Sequence, residues 1–313
     1  MKRILNLFLL FILSSCAHVE VVGTPGVINT KVVPTNTLSA PISLPTLVPA
    51  TAEIPCDPFS ADYCVTTGHF IFQRPIHPPA NDLVDETYLY GSTAHGTREP
   101  HHGVEFPNPS GTPVYAAADG TVIFAGPDTK GIYSPWPNFY GNLVVLRHKG
   151  NLFTLYAHLS KIDAKTGGVV GVGTKVGEVG KTGVAIGSHL HFEVRSGDVE
   201  DYFAAQNPEL WLVPAKTANG KSFGTLTISV VDEDRKLVKY AEYTIRTSLT
   251  PKKVKSYYGI TYSADMLNGE ENAVLGELPA GRYRTAIERN GKVYERWVEV
   301  ESGKLTQIVF VVK

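Results

Sequence analysis

The placement of glycine and proline constrains the fold of this chain more than any other feature. The 313 residues include 29 Gly and 21 Pro, and short apolar stretches lie between them. Many of these stretches alternate apolar and polar residues with a period of two, whereas helical periodicity is weak throughout. Because both residue types interrupt helices and favour turns, the pattern predicts an all-β protein of antiparallel strands rather than a helical bundle.

Two apolar–turn–apolar patterns in the middle of the chain predict β-hairpins. Residues 114–117 and 121–125 flank an Asp-Gly pair, and residues 142–148 and 152–158 flank Lys-Gly-Asn. Turns of this composition join neighbouring antiparallel strands. A second alternating pattern, after a polar linker, predicts a small β-sandwich.

The N-terminus has the pattern of an export signal. Lys2 and Arg3 precede an apolar run over residues 4–13, which is too short to span a bilayer core of about 30 Å. The run ends in Leu-Ser-Ser-Cys, which resembles the lipobox of bacterial lipoproteins. The resemblance implies a signal peptide over residues 1–15 and a lipid anchor on Cys16; the alternative is an ordinary signal peptide cleaved near Ala17.

The chain has three cysteines, too few for a zinc site made of four cysteines. If Cys16 is the anchor, Cys56 and Cys64 remain, and an exported protein can oxidise that pair to a disulfide. Two free thiols are the alternative.

Composition divides the chain further. A Pro- and Thr-rich stretch with almost no charge predicts an extended tether. The predicted order is a signal peptide over 1–15, a disordered tether over 16–55, a transition segment over 56–81, a first β-domain over 82–215 and an accessory β-sandwich over 222–313. The 29 basic and 30 acidic residues leave a net charge of −1, which argues against a nucleic-acid partner.

The histidines are concentrated in the first β-domain. Seven of the ten lie between residues 95 and 191, and none follows His191. Such clustering points to metal binding or proton transfer. Three motifs stand out: His-His-Gly-Val-Glu at 101–105, Tyr-Ala-His at 156–158 and Ser-His-Leu-His-Phe-Glu-Val at 188–194.

The His-Leu-His motif predicts a division of labour. Side chains alternate along a strand, so His189 and His191 face one way, about 6.5–7 Å apart, while Leu190 and Phe192 face the core. That spacing suits one metal ligand and one proton-transfer group better than two ligands of one zinc ion. A catalytic zinc ion needs three nitrogen or oxygen ligands and an open position, and two histidines with one carboxylate meet this need.

Together these motifs resemble the LytM/lysostaphin-type zinc metallopeptidases of family M23, whose signature is H-x-x-x-D followed later by H-x-H. The resemblance covers about residues 85–200 and implies an antiparallel domain of the lipoyl-like barrel-sandwich hybrid type. It implies one Zn²⁺ per chain held by His101, Glu105 and His191, with His158 and His189 as catalytic histidines. Glu105 departs from the family pattern, because it stands where the usual Asp is one methylene shorter.

The resemblance also implies a function. The family hydrolyses peptides of bacterial cell-wall peptidoglycan with zinc-activated water, and a lipid anchor would place the enzyme in the cell envelope, at the outer membrane or the outer face of the cytoplasmic membrane. The accessory sandwich resembles immunoglobulin-like and carboxypeptidase-regulatory-like modules, and is a candidate surface for a cell-envelope protein partner.

Two other functions stay open. One is a catalytically weak relative that binds cell wall or activates other hydrolases. The other is a lipoyl-type carrier, which would need an exposed lysine at a hairpin tip, where the sequence has Ala-Asp-Gly at 118–120.

Overall fold

The structure is a computed structural model, and it describes residues 56–94, 96–247, 254–263, 266–267 and 271–313. The signal peptide, Cys16 and the tether lie outside the described residues. The strands are β1 (Cys64–Thr66), β2 (Val104–Pro107), β3 (Pro113–Tyr115), β4 (Gly120–Pro127), β5 (Asn142–Arg147), β6 (Leu152–Ala157), β7 (Lys161–Ile162), β8 (Val169–Val170), β9 (Lys175–Glu178), β10 (His189–Ser196), β11 (Ala205–Gln206), β12 (Gly224–Val231), β13 (Glu242–Thr247), β14 (Ser256–Ile260), β15 (Ala273–Leu278), β16 (Gly281–Arg289), β17 (Lys292–Val300) and β18 (Leu305–Val311).

Besides these strands, the described residues form only three short 3₁₀ turns, Lys149–Asn151, Tyr202–Ala204 and Pro208–Leu210. The prediction of an all-β chain is therefore confirmed. Among the residues that the structure covers, there is no helix with the length and apolar character needed to cross a membrane.

The first β-region is built on a seven-stranded antiparallel sheet. Its order is β11-β10-β6-β5-β4-β8, and β2 pairs with β10 as well. In this register His191 lies opposite Glu105 on one side and Ala157 on the other. Strand β10 thus brings together the three sequence motifs that were predicted to carry chemistry.

The two hairpin predictions had different outcomes. Strands β5 and β6 pair as an antiparallel hairpin, which confirms the second. The first is wrong: β3 pairs with β9 in a separate three-stranded sheet, whereas β4 pairs with β5 and β8. Asp119 does not close a two-strand turn, and its Oδ1 accepts a hydrogen bond from Val172 N at 2.8 Å.

The apolar side of β10 packs into the core beneath the site. Leu190, Phe192 and Val194 are fully buried and join a cluster that includes Val114 and Val176 from the three-stranded sheet. Burying a side chain of this size stabilises the fold by about 1.5–3 kcal/mol. Alternation along one strand thereby fixes which residues face the cleft.

The C-terminal region consists of two four-stranded sheets that share one core. One has the order β1-β18-β12-β15 and the other β14-β13-β16-β17, and the pairing of β12 with β18 is parallel. Ile228 and Phe310 from the first sheet pack in one cluster with Tyr283 and Val298 from the second. The arrangement is that of a sandwich.

Strand β1 belongs to the segment that precedes the first β-region, yet it pairs with the last strand of the chain. The structure joins Cys56 and Cys64 in a disulfide, with 5.7 Å between their Cα atoms. Arg74 in the same segment forms an ion pair with Glu277 of β15. The transition segment therefore contacts the sandwich directly.

Candidate metal centre

Five predicted site residues converge where β2, β6 and β10 meet. His101 precedes β2, Glu105 lies on it, His158 follows β6, and His189 and His191 lie on β10. All five line one cleft of about 790 Å³. Because β10 pairs with both neighbouring strands, the sheet register sets the spacing of Glu105, His189 and His191.

Three of the five residues form a triangle of donor atoms. His101 Nε2 lies 3.2 Å from Glu105 Oε1 and 3.2 Å from His191 Nδ1, and the latter two atoms are 3.4 Å apart. Zinc–ligand bonds of about 2.0–2.1 Å at tetrahedral angles require donor atoms about 3.3 Å apart. The side chains of His101, Glu105 and His191 are therefore placed so that all three could bind one metal ion. The donor set and its spacing therefore fit zinc.

Hydrogen bonds set the tautomers of the two metal-facing histidines. His101 Nδ1 lies 3.0 Å from Tyr88 O, and a carbonyl oxygen can only accept, so Nδ1 carries the hydrogen and Nε2 keeps its lone pair. His191 Nε2 lies 3.0 Å from Glu193 Oε1 and donates its hydrogen there, so Nδ1 is the ring nitrogen that faces the triangle. In both rings one nitrogen is held by a hydrogen bond outside the triangle, and the other is turned towards it.

A fully buried network of hydrogen bonds supports His191 at its Nε2. Glu193 Oε1 also accepts from Tyr140 OH at 2.5 Å, and Glu193 Oε2 accepts from Arg195 Nε at 2.8 Å. Glu193 and Arg195 share the face of β10 that carries the histidines, and both are 0% exposed. Carboxylates behind metal-binding histidines orient the ring and raise its basicity.

Glu193, Arg195 and Tyr140 are not among the site residues that the sequence predicted. Alternation along β10 was the available signal, because residues 189, 191, 193 and 195 must share one face.

Glu105 uses both carboxylate oxygens. While Oε1 completes the donor triangle, Oε2 contacts His189 Nε2. Burial alone would raise the pKa of Glu105, but its contacts with the imidazole rings of His101, His189 and His191 outweigh burial and lower that pKa below its usual range. The carboxylate is therefore ionised, as a metal ligand must be.

His158 is held outside the triangle by its backbone. It has a φ of 62°, and its Nδ1 lies 2.9 Å from Thr182 O, so Nδ1 carries the hydrogen and Nε2 is the basic nitrogen. Its ring centroid lies 5.0 Å from that of His189 and 5.6 Å from that of His191. This position suits a group that exchanges protons beside the metal rather than binding it.

Burial dominates the electrostatics of the histidines. It lowers the pKa of His101, and together with the neighbouring His191 and His189 it lowers the pKa of His158 to about 3. For His191 burial acts the same way, but hydrogen bonds to Glu105 and Glu193 outweigh it and raise its pKa to about 9. His158 is thus uncharged near neutral pH, in the form that accepts a proton.

The cleft above the triangle has apolar and charged walls. Trp136 and Ile186, which are 41% and 75% exposed, line the cleft together with Arg98 and Asp85. An open cleft of this size leaves room for an extended peptide to cross the metal-facing atoms.

The β-sheet scaffold therefore presents a zinc-fitting triangle of two histidines and a carboxylate, with two further histidines beside it. Residues 99–202 match the model of Peptidase family M23. The match covers about a third of the chain, so the likeness to that family is a likeness of this stretch.

Curated relatives are similar over the same region. The DD-carboxypeptidase/endopeptidase Mpg of Neisseria meningitidis serogroup B is 45% identical over 95 residues, which cover 30% of this chain and 20% of that protein. The peptidoglycan DD-endopeptidase ShyC of Vibrio cholerae is 32% identical over 148 residues, covering 47% and 31%. The chain thus spans from about a fifth to about a third of the length of these relatives.

Solved structures are similar as well. The catalytic domain of the prophage-encoded M23 protein EnpA from Enterococcus faecalis is 28% identical with a TM-score of 0.37, covering 44% of this chain and 95% of that one. A zinc-containing peptidase from Vibrio cholerae is 34% identical with a TM-score of 0.34, covering 40% and 36%.

Proposed function

We propose that this protein is a zinc-dependent endopeptidase that hydrolyses peptide bonds of bacterial peptidoglycan. The observation that carries the proposal is the triangle of His101, Glu105 and His191 donor atoms, 3.2–3.4 Å apart and open to the cleft. A zinc ion bound there supplies an activated water and polarises the carbonyl of the bond to be cleaved.

The two remaining histidines have distinct roles in this proposal. His158 accepts the proton of the attacking water at Nε2, because its Nδ1 is committed to Thr182 O. His189 carries its hydrogen on Nε2, where it contacts a carboxylate oxygen of Glu105. That N–H can instead donate to the carbonyl oxygen as it becomes negative during attack. The proton held by His158 then passes to the leaving amine.

The names of the relatives support the substrate class. Mpg is named a DD-carboxypeptidase/endopeptidase, and ShyA and ShyC of Vibrio cholerae are named peptidoglycan DD-endopeptidases. We therefore propose that the scissile bond joins two D-configured centres in the peptide cross-links of the wall.

Digestion of purified peptidoglycan tests this function. The wild-type chain should release cross-link fragments that mass spectrometry identifies, and it should retain about one zinc ion per chain. His191→Ala removes one corner of the triangle, so both zinc retention and hydrolysis should be lost. His77→Ala, which changes an exposed histidine stacked on Tyr115, should retain both.

Two outcomes would contradict the proposal. Unchanged hydrolysis by His191→Ala would show that the triangle is not the catalytic centre. A wild-type chain that retains no zinc and cleaves nothing would favour the alternative of a cell-wall binding or hydrolase-activating protein.

We also propose that the chain is exported and lipid-anchored through Cys16 in the cell envelope. The basic pair, the short apolar run and Leu-Ser-Ser-Cys at residues 13–16 support this. The mass of the mature N-terminal peptide tests it, since its first residue must be a lipid-modified Cys16. The C-terminal sandwich as a surface for an envelope protein partner stays a prediction.

A further inference from the structure

One segment of the chain contacts the metal centre on one side and the C-terminal sandwich on the other. We call residues 84–92 the bridging segment. It lies before the part of the chain that matches the family model, which begins at residue 99. Its contacts to both sides are specific and short.

The bridging segment holds His101 by side chain and backbone. The rings of Tyr88 and His101 stack with centroids 4.1 Å apart, and His101 Nδ1 lies 3.0 Å from Tyr88 O and 3.3 Å from Leu89 O. Gly91 N donates to His101 O at 2.7 Å, and His101 N donates to Ser92 O at 2.9 Å. These contacts fix both the ring plane and the tautomer of the metal ligand.

The same segment reaches a second ligand. Asp85 N donates to Glu105 O at 3.0 Å, and Asp85 and Tyr88 also line the cleft. Two corners of the donor triangle therefore depend on where this segment lies.

The sandwich holds the other side of the bridging segment. Glu277 Oε1 accepts from Val84 N at 3.1 Å, and Lys255 Nζ lies 3.2 Å from Glu86 Oε1. Glu277 in turn pairs with Arg74, so its position is fixed from two directions.

Tyr262 packs against the bridging segment at Tyr90 and Gly91. Its ring meets the ring of Tyr90 edge-on with centroids 5.2 Å apart, and a Cβ placed on Gly91 would lie 2.6 Å from its Cδ1. Tyr262 is 4% exposed, and its hydroxyl accepts from Asn207 Nδ2 at 2.7 Å. The Tyr262 ring therefore packs directly on Gly91, whose N–H donates to the carbonyl oxygen of His101.

We infer that the C-terminal sandwich positions the zinc ligand His101 through the bridging segment, with Tyr262 as the positioning residue. The sandwich is then part of the metal centre's support and not only an accessory module. The inference rests on the proposed function, because it requires that the donor triangle binds zinc.

Zinc affinity of the full-length protein tests the inference, measured by competition with a chromogenic chelator. Tyr262→Ala should raise the Kd for zinc about tenfold, the size of effect found when groups that orient metal ligands are removed. It should also change the visible spectrum of the Co²⁺-substituted protein, which reports ligand geometry. Tyr262→Phe retains the ring against Gly91 and should restore wild-type affinity and spectrum.

Two further variants separate positioning from loss of folding. Tyr262→Leu retains apolar bulk, and should still weaken zinc binding if the alanine variant does not fold. Tyr294→Ala removes a tyrosine of β17 that packs on the sandwich core, and should leave zinc affinity unchanged.

Equal zinc affinity in the wild type and in folded Tyr262→Ala or Tyr262→Leu would overturn the inference alone. Equal weakening by Tyr294→Ala would also overturn it, by showing that any damage to the sandwich has the same effect. A wild-type chain that binds no zinc would overturn the proposed function and this inference with it.

Discussion

At the scale of single residues, Glu105 shows how one methylene changes what a carboxylate can reach. Its Oε1 lies with His101 and His191, and its Oε2 contacts His189 Nε2. Strand β2 holds Glu105 directly opposite His191 of β10. A residue that differs from the family's usual Asp therefore fits this scaffold.

Replacing Glu105 with Asp should weaken zinc binding, although it restores the residue usual in the family. The carboxylate would fall short by about one C–C bond, roughly 1.5 Å, and metal sites tolerate errors of only about 0.2 Å. Chelator competition should show a higher zinc Kd, and kcat/KM on peptidoglycan fragments should fall. Glu99→Asp, the same change at another residue that lines the cleft, is the control. Unchanged affinity in Glu105→Asp would show that β2 moves to compensate.

The sequence predicted the residues that face the cleft better than those behind them. His101, Glu105, His158, His189 and His191 follow from motif spacing and from the family resemblance. Tyr140 does not, because it reaches Glu193 only after β10 and the loop before β5 have packed together. Contacts of this kind depend on tertiary structure, which spacing along the chain does not encode.

At the scale of elements, side chains alternate along β10, so its two faces have different roles. Leu190, Phe192 and Val194 anchor it in the core, while the intervening residues carry the metal centre and its support. A shift of register by one residue would exchange these faces. The pairing of β10 with both β2 and β6 prevents such a shift.

Gly103 allows the approach of β2 to β10. A Cβ at this position would lie 2.5 Å from Phe192 O and 2.9 Å from His191 Nε2. Gly103→Ala should therefore destabilise the fold by about 1–3 kcal/mol and displace the His191 ring from Glu193, so that zinc affinity also falls. Denaturant unfolding and chelator competition measure the two effects.

Gly126→Ala is the matched control for that change. A Cβ there would meet only Phe124 Cζ, at an ordinary 3.7 Å. It should have little effect on either measurement. Wild-type zinc affinity in Gly103→Ala would contradict the view that close strand approach sets the His191 position.

The hairpin prediction over residues 114–125 failed for an element-scale reason. An Asp-Gly pair between two apolar runs favours a tight turn. Each of these runs, however, pairs with strands from elsewhere in the chain. The β3–β9 pairing and the β4–β5 pairing join strands that are not neighbours across that turn. Local sequence identified the strands correctly and their pairing incorrectly.

At the scale of the whole molecule, the contact between the two β-regions contains a buried carboxyl group. Glu209 is 5% exposed, and its Oε1 accepts from Gly276 N of β15 at 2.6 Å. Burial, reinforced by Glu277, raises the pKa of Glu209 from 4.5 to about 8, although Arg74 and the Gly276 N–H oppose the rise. Near neutral pH the folded chain therefore keeps a proton that the unfolded chain releases.

This proton makes stability depend on pH. Because the pKa of Glu209 is raised in the folded chain, this group stabilises the folded state. That stabilisation is fully present below about pH 4.5 and is lost as the pH rises through about 8. Between those limits the unfolding free energy should fall by an amount on the order of 4 kcal/mol from this group. Glu209→Gln retains the Gly276 contact without a titrating proton and should remove that decline.

Unfolding by denaturant at a series of pH values measures the effect. Glu301→Gln, a change at an exposed glutamate, should leave the pH dependence of the wild type in place. The same decline in Glu209→Gln as in the wild type would assign it to other groups.

Composition and alternation predicted two β-regions, but not their contact. The ion pair of Arg74 with Glu277 joins residues 203 positions apart, and Glu209 reaches Gly276 across 67. No local pattern marks such partners, since a buried polar residue and an exposed one look alike in the sequence.

The disulfide and strand β1 also set a path for mechanical force. A pull applied to the chain at Cys56 passes through the sulfur–sulfur bond to Cys64 and bypasses the loop between them. Cys64 is the first residue of β1, so the load falls at once on the hydrogen bonds to β18, next to Gln307. Tension from the N-terminal side is therefore borne first by the sandwich, while the sheet that carries the metal centre lies further along the load path.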